Sequence, residues 1–233
     1  MSPFFLLIVL GLPALGQFVS TKMRKRFVQY SQQPMPLSGR EIAELMLAQR
    51  GIENVRVIST PGKLTDHYDP RNRTVNLSEP VYNEKTVAAT AVAAHECGHA
   101  VQHATNYPLL TARSKMVPML KVSNMAIPVL MFGGAGVSAI VGSYGTAALL
   151  VAGMGLPALF SLVTLPVEFD ASKRALRWMS EAGLAPEGPQ YEGAKKALFW
   201  AAMTYVVSAL GAIVQALYFA RMFLGRGGGR MLR

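Results

Sequence analysis

Three long stretches of this chain carry no charged side chain: residues 1–21, 122–167 and 197–220. Nothing else in the sequence restricts the fold as strongly. A helix needs about 20 apolar residues, rising 1.5 Å each, to cross the hydrocarbon core of a bilayer. The first and last stretches each match one span. The middle one holds 46 residues, enough for two spans and a turn. Both "GGAG" (133–136) and "GSYG" (142–145) offer that turn. Division at the second leaves roughly 118–140 and 146–165, both of spanning length. Lys121 then sits near a helix end, where its stem can snorkel to the interface. Composition agrees: 15% of the 233 residues are charged and 51% apolar, whereas about 25% of an average soluble domain is charged. The expectation is a mainly α membrane protein with four transmembrane helices.

The basic cluster "KMRKR" (22–26) follows the first apolar run instead of preceding it. That order suits a retained anchor better than a cleaved signal. The net charge of +10 would suggest nucleic acid in a soluble protein. Here "TKMRKRF" (21–27) and "GRGGGRMLR" (225–233) flank spans, where lysine and arginine anchor and orient helices. No nucleic-acid partner is expected. Cys97 is the single cysteine, which excludes an intrachain disulfide.

The polar remainder falls into two regions. In the first, Ser38 and Glu41 form a capping pattern ahead of the apolar face of Ile42, Leu45 and Met46. Residues 55–60, 63–69 and 73–78 read as short strands separated by "PGK" and "DPRN" turns. An alanine-rich helix runs from Glu84 to about Asn106. In the second, a helix is expected from Val167 to about Ala182, broken by "GLAPEGP". The organisation is then a span (1–21), a first polar region (22–115), a transmembrane hairpin (116–166), a second polar segment (167–196), a last span (197–222) and a basic tail (223–233). The polar part is expected to form a small α+β domain with a short antiparallel sheet.

"AAHECGHAVQH" (93–103) lies on the alanine-rich helix. Positions four apart differ by about 40° in azimuth and 6 Å in height. His95 and His99 can therefore point their imidazoles at one ion. Glu96 lies about 100° round the helix, beside the metal without ligating it. There it can take a proton from a metal-activated water as that water attacks a carbonyl. His103 stands about 12 Å along the axis from His95, too far to share the ion, and reads as a supporting or interface residue. Cys97 points away from the two-histidine face and reads as a packed thiol. A catalytic zinc needs a third protein ligand and an open position. His67 is one candidate. Glu168, just past an apolar span at the start of a helix, is the better one, because the hairpin returns the chain to the side it left. Asp170 is placed to orient a histidine.

"GKLTDHYDP" (62–70), "AAHECGHAVQ" (93–102), "LPVEFDAS" (165–172) and "AAMTY" (201–205) together resemble the neutral zinc metallopeptidases of bacterial membranes, the YugP-like family. More distantly the chain is similar to the HtpX-type membrane proteases, in which E-(F/Y)-x-A-D follows the H-E-x-x-H helix. Glu168, Phe169 and Ala171 match that pattern, and Ser172 stands at its aspartate position. The resemblance implies a glutamate-zincin fold.

In zincins an edge strand beside the metal receives extended peptide by strand addition, which draws attention to "TDHYD" (65–69). His67, Tyr68, Arg174 and Tyr205 are candidates for stabilising an oxyanion. The functional expectation is a membrane metalloendopeptidase holding one Zn²⁺ per chain and cleaving membrane-associated protein or peptide substrates near the bilayer surface. The alternative is a zinc-binding membrane protein or assembly factor without proteolysis. Glu96 favours the first, because a structural site needs no general base. A transporter would carry charge inside its spans, and these stretches have none. Lysine and arginine near the span ends give the orientation. Lys22, Arg24, Lys25, Arg26, Arg113, Lys115, Lys173, Arg174, Arg177, Lys195 and Lys196 lie on one side, and Arg221, Arg226, Arg230 and Arg233 on the other. The positive-inside rule puts the first group and the metal site in the cytoplasm of a multi-pass protein of the cell membrane, with both termini outside.

Overall fold

The computed structural model describes residues 6–224. The first five residues of the N-terminal span and positions 225–233 of the basic tail, with Arg226, Arg230 and Arg233, lie outside the described residues. A π-helical turn (Leu7–Gly11) leads into α1 (Leu12–Tyr30). There follow α2 (Gly39–Gln49), β1 (Arg56–Thr60), β2 (His67–Asp69), β3 (Thr74–Ser78), α3 (Glu79–Asn83) and α4 (Val87–Ala104). Three long helices complete the chain: α5 (Pro108–Phe132), α6 (Gly134–Glu181) and α7 (Pro189–Leu224). All three are long and apolar enough to cross a membrane. The chain divides into two compact units, Gln17–Thr111 with Pro166–Thr204, and Met1–Gly16 with Ala112–Leu165 and Tyr205–Arg233.

The unit built on Gln17–Thr111 is organised around α4. Thr86 caps this helix by accepting the Ala89 amide at 3.2 Å. Almost every residue from Val87 to Gln102 is buried. A helix apolar all round must be covered all round, and alanine lets the neighbours come close. On α2 the capping box forms, with the Ser38 amide donating to Glu41 Oε2 at 2.7 Å and the Glu41 amide donating to Ser38 Oγ at 3.3 Å. Ile42, Met46 and Leu47 of α2 enter one core with Val75 and Leu77 of β3 and Trp178 and Met179 of α6. Each such side chain contributes about 1.5–3 kcal/mol when fully buried. Trp178 Nε1 donates to Gln49 Oε1 at 2.7 Å, so its one polar atom is satisfied.

The sheet is mixed, not antiparallel as expected. β3 is central and fully buried, β1 pairs with it in parallel (Arg56↔Thr74) and β2 antiparallel (Tyr68↔Val75). The cause is the link after β1. Instead of closing a hairpin, it crosses to the far edge of β3 through left-handed residues Gly62 (φ 100°) and Leu64 (φ 59°). Asp66 then accepts the Ser78 amide at 2.7 Å and its hydroxyl at 3.0 Å, pinning the crossing to the end of β3. Burial pushes the Asp66 carboxyl up in pKa despite these bonds.

In the other unit, α5 stops at Gly133. A second break follows at Gly142, whose φ of 76° and ψ of 162° suit only glycine. Both glycine motifs therefore take part in the turn, with a short helical piece between them. The helices of this hairpin approach closely where Ser123 Oγ donates to the Gly153 carbonyl at 2.7 Å, a small-residue contact of the kind membrane helices use. Near this turn Phe132 and Ile140 leave 91% and 85% of their surface uncovered.

One expectation about Glu168 is corrected here. It does not stand at a helix start, because α6 runs unbroken from Gly142 through Pro166 to Glu181. Pro166 removes one amide donor, but no glycine or capping residue follows to end the helix.

Candidate metal centre

The centre is assembled from α4 and the polar end of α6. The two helices come into backbone contact at Gly98. A methyl group added there would lie 2.6 Å from the Ala171 carbonyl oxygen and 3.1 Å from its Cα. Only a residue without a side chain permits this approach. The contact sets Glu168 and Ser172, one turn apart on α6, against the histidine face of α4.

Nε2 of His95 lies 3.3 Å from Glu168 Oε2, and Nε2 of His99 lies 3.5 Å from the same oxygen. The imidazoles meet edge to face, their centroids 4.8 Å apart at 82°. One donor atom from each of the three residues lies within 4.8 Å of the others, so the group could hold a metal ion. A tetrahedral ion with bonds of about 2.0–2.1 Å needs donors about 3.3–3.4 Å apart, and the nitrogen–oxygen separations of 3.3 and 3.5 Å lie close to that spacing. Glu168 is 2% exposed and His99 6%.

The ring nitrogens facing away are held. His95 Nδ1 bonds Ser172 Oγ at 3.1 Å. His99 Nδ1 bonds Gln102 Oε1 at 2.9 Å. The fully buried Gln102 amide donates to the Val167 carbonyl and to Asp170 Oδ2, both at 2.8 Å. Its nitrogen is thus committed to two acceptors, and its oxygen must accept from His99. That places the imidazole proton on Nδ1 and turns the lone pair of Nε2 towards Glu168. Two lone-pair-bearing atoms held 3.5 Å apart in a buried site require a cation between them, a proton or a metal. The same conflict shows in the titration of His99: burial disfavours its charged form, but the hydrogen bond and charge of Glu168 outweigh burial and raise its pKa.

The remaining residues named from the sequence are placed as follows. Glu96 is buried at 8% exposure, beside His95 on α4. Asp170 reaches His99 only through Gln102, and it also accepts from Arg174 Nε at 2.5 Å. Arg174 in turn lies over the Tyr107 ring at 5.8 Å. His103 Nδ1 bonds the Tyr68 hydroxyl at 2.7 Å, tying α4 to strand β2. His67 is exposed, its Nδ1 on the Thr65 carbonyl at 2.8 Å, and it stands outside the metal group. Cys97 is buried with its thiol 3.6 Å from the Ala43 carbonyl, and burial drives its pKa well above the ordinary thiol value. Tyr205 belongs to the other compact unit. The linking role of Gln102 and the approach at Gly98 were not read from the sequence. The only local signal was position: Gln102 follows His99 by three residues, and Gly98 precedes it by one.

The chain thus combines three helices long and apolar enough to cross a membrane with a largely buried cluster of two histidines and one glutamate. It is a member of the family described as "Putative neutral zinc metallopeptidase", which matches residues 4–224. It is 37% identical to the "Putative membrane protease YugP" of Bacillus subtilis (strain 168) over 223 residues, covering 95% of this chain and 96% of that protein. No solved structure matches it.

Proposed function

We propose that this chain is an integral membrane zinc metalloendopeptidase of the glutamate-zincin type, with four spans and its active site in the cytoplasm. The observation that carries the reading is the convergence of both Nε2 atoms on one Glu168 oxygen, with each distal Nδ1 held by its own partner. His95, His99 and Glu168 would hold the ion, leaving a fourth position for water or substrate. When bound, zinc supplies Lewis acidity and a water acidic enough to lose its proton near neutral pH.

The chain's own residues supply the rest. Glu96, buried beside His95, is the base that takes the proton and later delivers it to the leaving amine. β2 is one of the two edge strands of the sheet, the one tied to α4. Its unpaired side can receive an extended substrate by strand addition. The Tyr68–His103 bond fixes that strand relative to α4. The substrate is a peptide or protein segment at or near the bilayer surface, since the histidine motif lies outside the apolar stretches.

The test separates proton transfer from metal binding. Glu96→Gln should leave zinc content near normal while peptide cleavage falls roughly 10²- to 10⁴-fold. Glu168→Gln should lower zinc content as well as activity, and excess zinc should partly restore it. His103→Ala should retain zinc. A zinc-replete, fully active Glu96→Gln enzyme would refute the base assignment. A zinc-replete Glu168→Gln beside a zinc-depleted His103→Ala would refute the ligand set.

A further inference from the structure

Beside the metal centre, the polar ends of α6 and α7 enclose an open groove of about 530 Å³. The two helices are joined by a short link (182–188) and face each other there as antiparallel neighbours. The groove is graded along its length. Towards the apolar stretches it is walled by Phe169, Phe199 and Ala202. Towards the link it is walled by Arg177, Lys195 and Tyr191, with Lys173 between the two ends. Glu181 also lines it at the link end, where it pairs with Arg50 Nη2 at 2.8 Å on the surface. Lys195 Nζ is 3.4 Å from Glu192 on an exposed surface, a weak tie. Among the described residues, no ion pair engages Lys173 or Arg177.

We infer that this groove binds one anionic glycerophospholipid, its phosphate held by Lys173, Arg177 and Lys195 and one acyl chain lying along Phe169 and Phe199. The occupant follows from the grading. Each wall belongs to a helix whose sequence also holds an apolar run long enough to cross a membrane, and along the chain Phe169, Phe199 and Ala202 come on the side of that run while Arg177 and Lys195 come on the side of the link. A phospholipid has the same order of parts, acyl chain first and charge last. A water-soluble anion would leave the apolar end unused, and Phe169 and Phe199 are already 43% and 50% exposed. Phosphate suits the pair of lysines and the arginine, which offer charge and a planar fork of donors. Ser172 lines the groove as well as holding His95, so the seated lipid touches a residue that orients a candidate metal ligand.

The experiment uses the full-length protein in neutral detergent, titrated with dioleoylphosphatidylglycerol or dioleoylphosphatidylcholine and read by native mass spectrometry. The anionic lipid should bind as a single retained adduct, and the zwitterionic one more weakly. Arg177→Gln and Lys173→Gln should each weaken the anionic adduct about fivefold. Phe199→Ser should weaken both lipids. Arg24→Gln with Lys25→Gln, which removes basic charge near a span but outside the groove, should change binding less than twofold. Glycerol 3-phosphate in excess should fail to displace the lipid. Equal losses from the groove and the Arg24/Lys25 variants would overturn the site in favour of diffuse charge attraction. Displacement by an acidic peptide or by glycerol 3-phosphate alone would also overturn it, because the groove would then serve a soluble anion. Zinc content of every variant is measured alongside. This keeps failure of the lipid site distinguishable from failure of the metal assignment.

Discussion

Gln102 carries more of the site than its neutral side chain suggests. It accepts from His99 and donates to both Asp170 and the Val167 carbonyl. Three polar groups on two helices therefore depend on one amide. Gln102→Leu would leave the His99 Nδ1 proton and the Val167 carbonyl without that partner. A buried group stripped in this way costs about 1–3 kcal/mol. Zinc affinity should also fall about 10- to 100-fold, as it does when a partner of a ligating histidine is lost. Gln102→Glu keeps the acceptor for His99 but sets a carboxylate against Asp170, so it should be no better. Adding Asp170→Asn to it restores a donor opposite the new carboxylate and should recover part of the zinc affinity. Competition with a chelating dye measures all three proteins. Zinc binding by Gln102→Leu equal to that of the parent would show that the amide does not orient His99.

At the scale of elements, α4 and α6 meet because Gly98 has no side chain. Gly98→Ala places a methyl group 2.6 Å from a backbone oxygen that has no rotamer to change. The helices must then part by several tenths of an ångström. Overpacking of this kind costs about 1–3 kcal/mol, and the parting is felt directly at Glu168 and Ser172. The expected result is a lower melting temperature together with weaker zinc binding, measured with and without the metal. A loss of stability with unchanged zinc affinity would show that the metal group tolerates the shift. This contact also explains what could be read from sequence and what could not. The spacing of His95 and His99 is a local property of one helix, so it was legible. Glu168 was legible as an acidic residue where an apolar run gives way to polar sequence. The Gln102–Asp170 bond joins residues far apart in sequence through a backbone approach that no periodicity announces. The mixed pairing of the sheet is hidden for a similar reason. Strand positions follow local patterns, but the strand order depends on the link after β1 crossing to the far edge of β3, which no local pattern announces. The continuity of α6 was hidden because the change from apolar to polar composition suggested a boundary where the backbone has none.

For the whole molecule, the proposed cytoplasmic site depends on which way α6 crosses the bilayer, and the buried cysteine makes that measurable. Cys97 is the chain's only thiol. It is fully buried, and burial keeps it protonated by raising its pKa. The thiolate is the nucleophile in maleimide labelling, so the folded parent should not react. Cysteines introduced at exposed positions then report without a background to subtract. Tyr144 lies in the turn of the α5–α6 hairpin, and Glu187 lies in the link between α6 and α7. If α6 crosses the membrane, the two positions lie on opposite sides of it. The lysines and arginines of the proposed inner side include Lys173, Arg177 and Lys195, on the same flank of the span as Glu187. In intact cells a membrane-impermeant maleimide should therefore label Tyr144→Cys at once and Glu187→Cys only after the membrane is opened. The reverse pattern would place the metal centre outside the cytoplasm while leaving its ligand set untouched. Labelling of both in intact cells would mean that α6 does not cross.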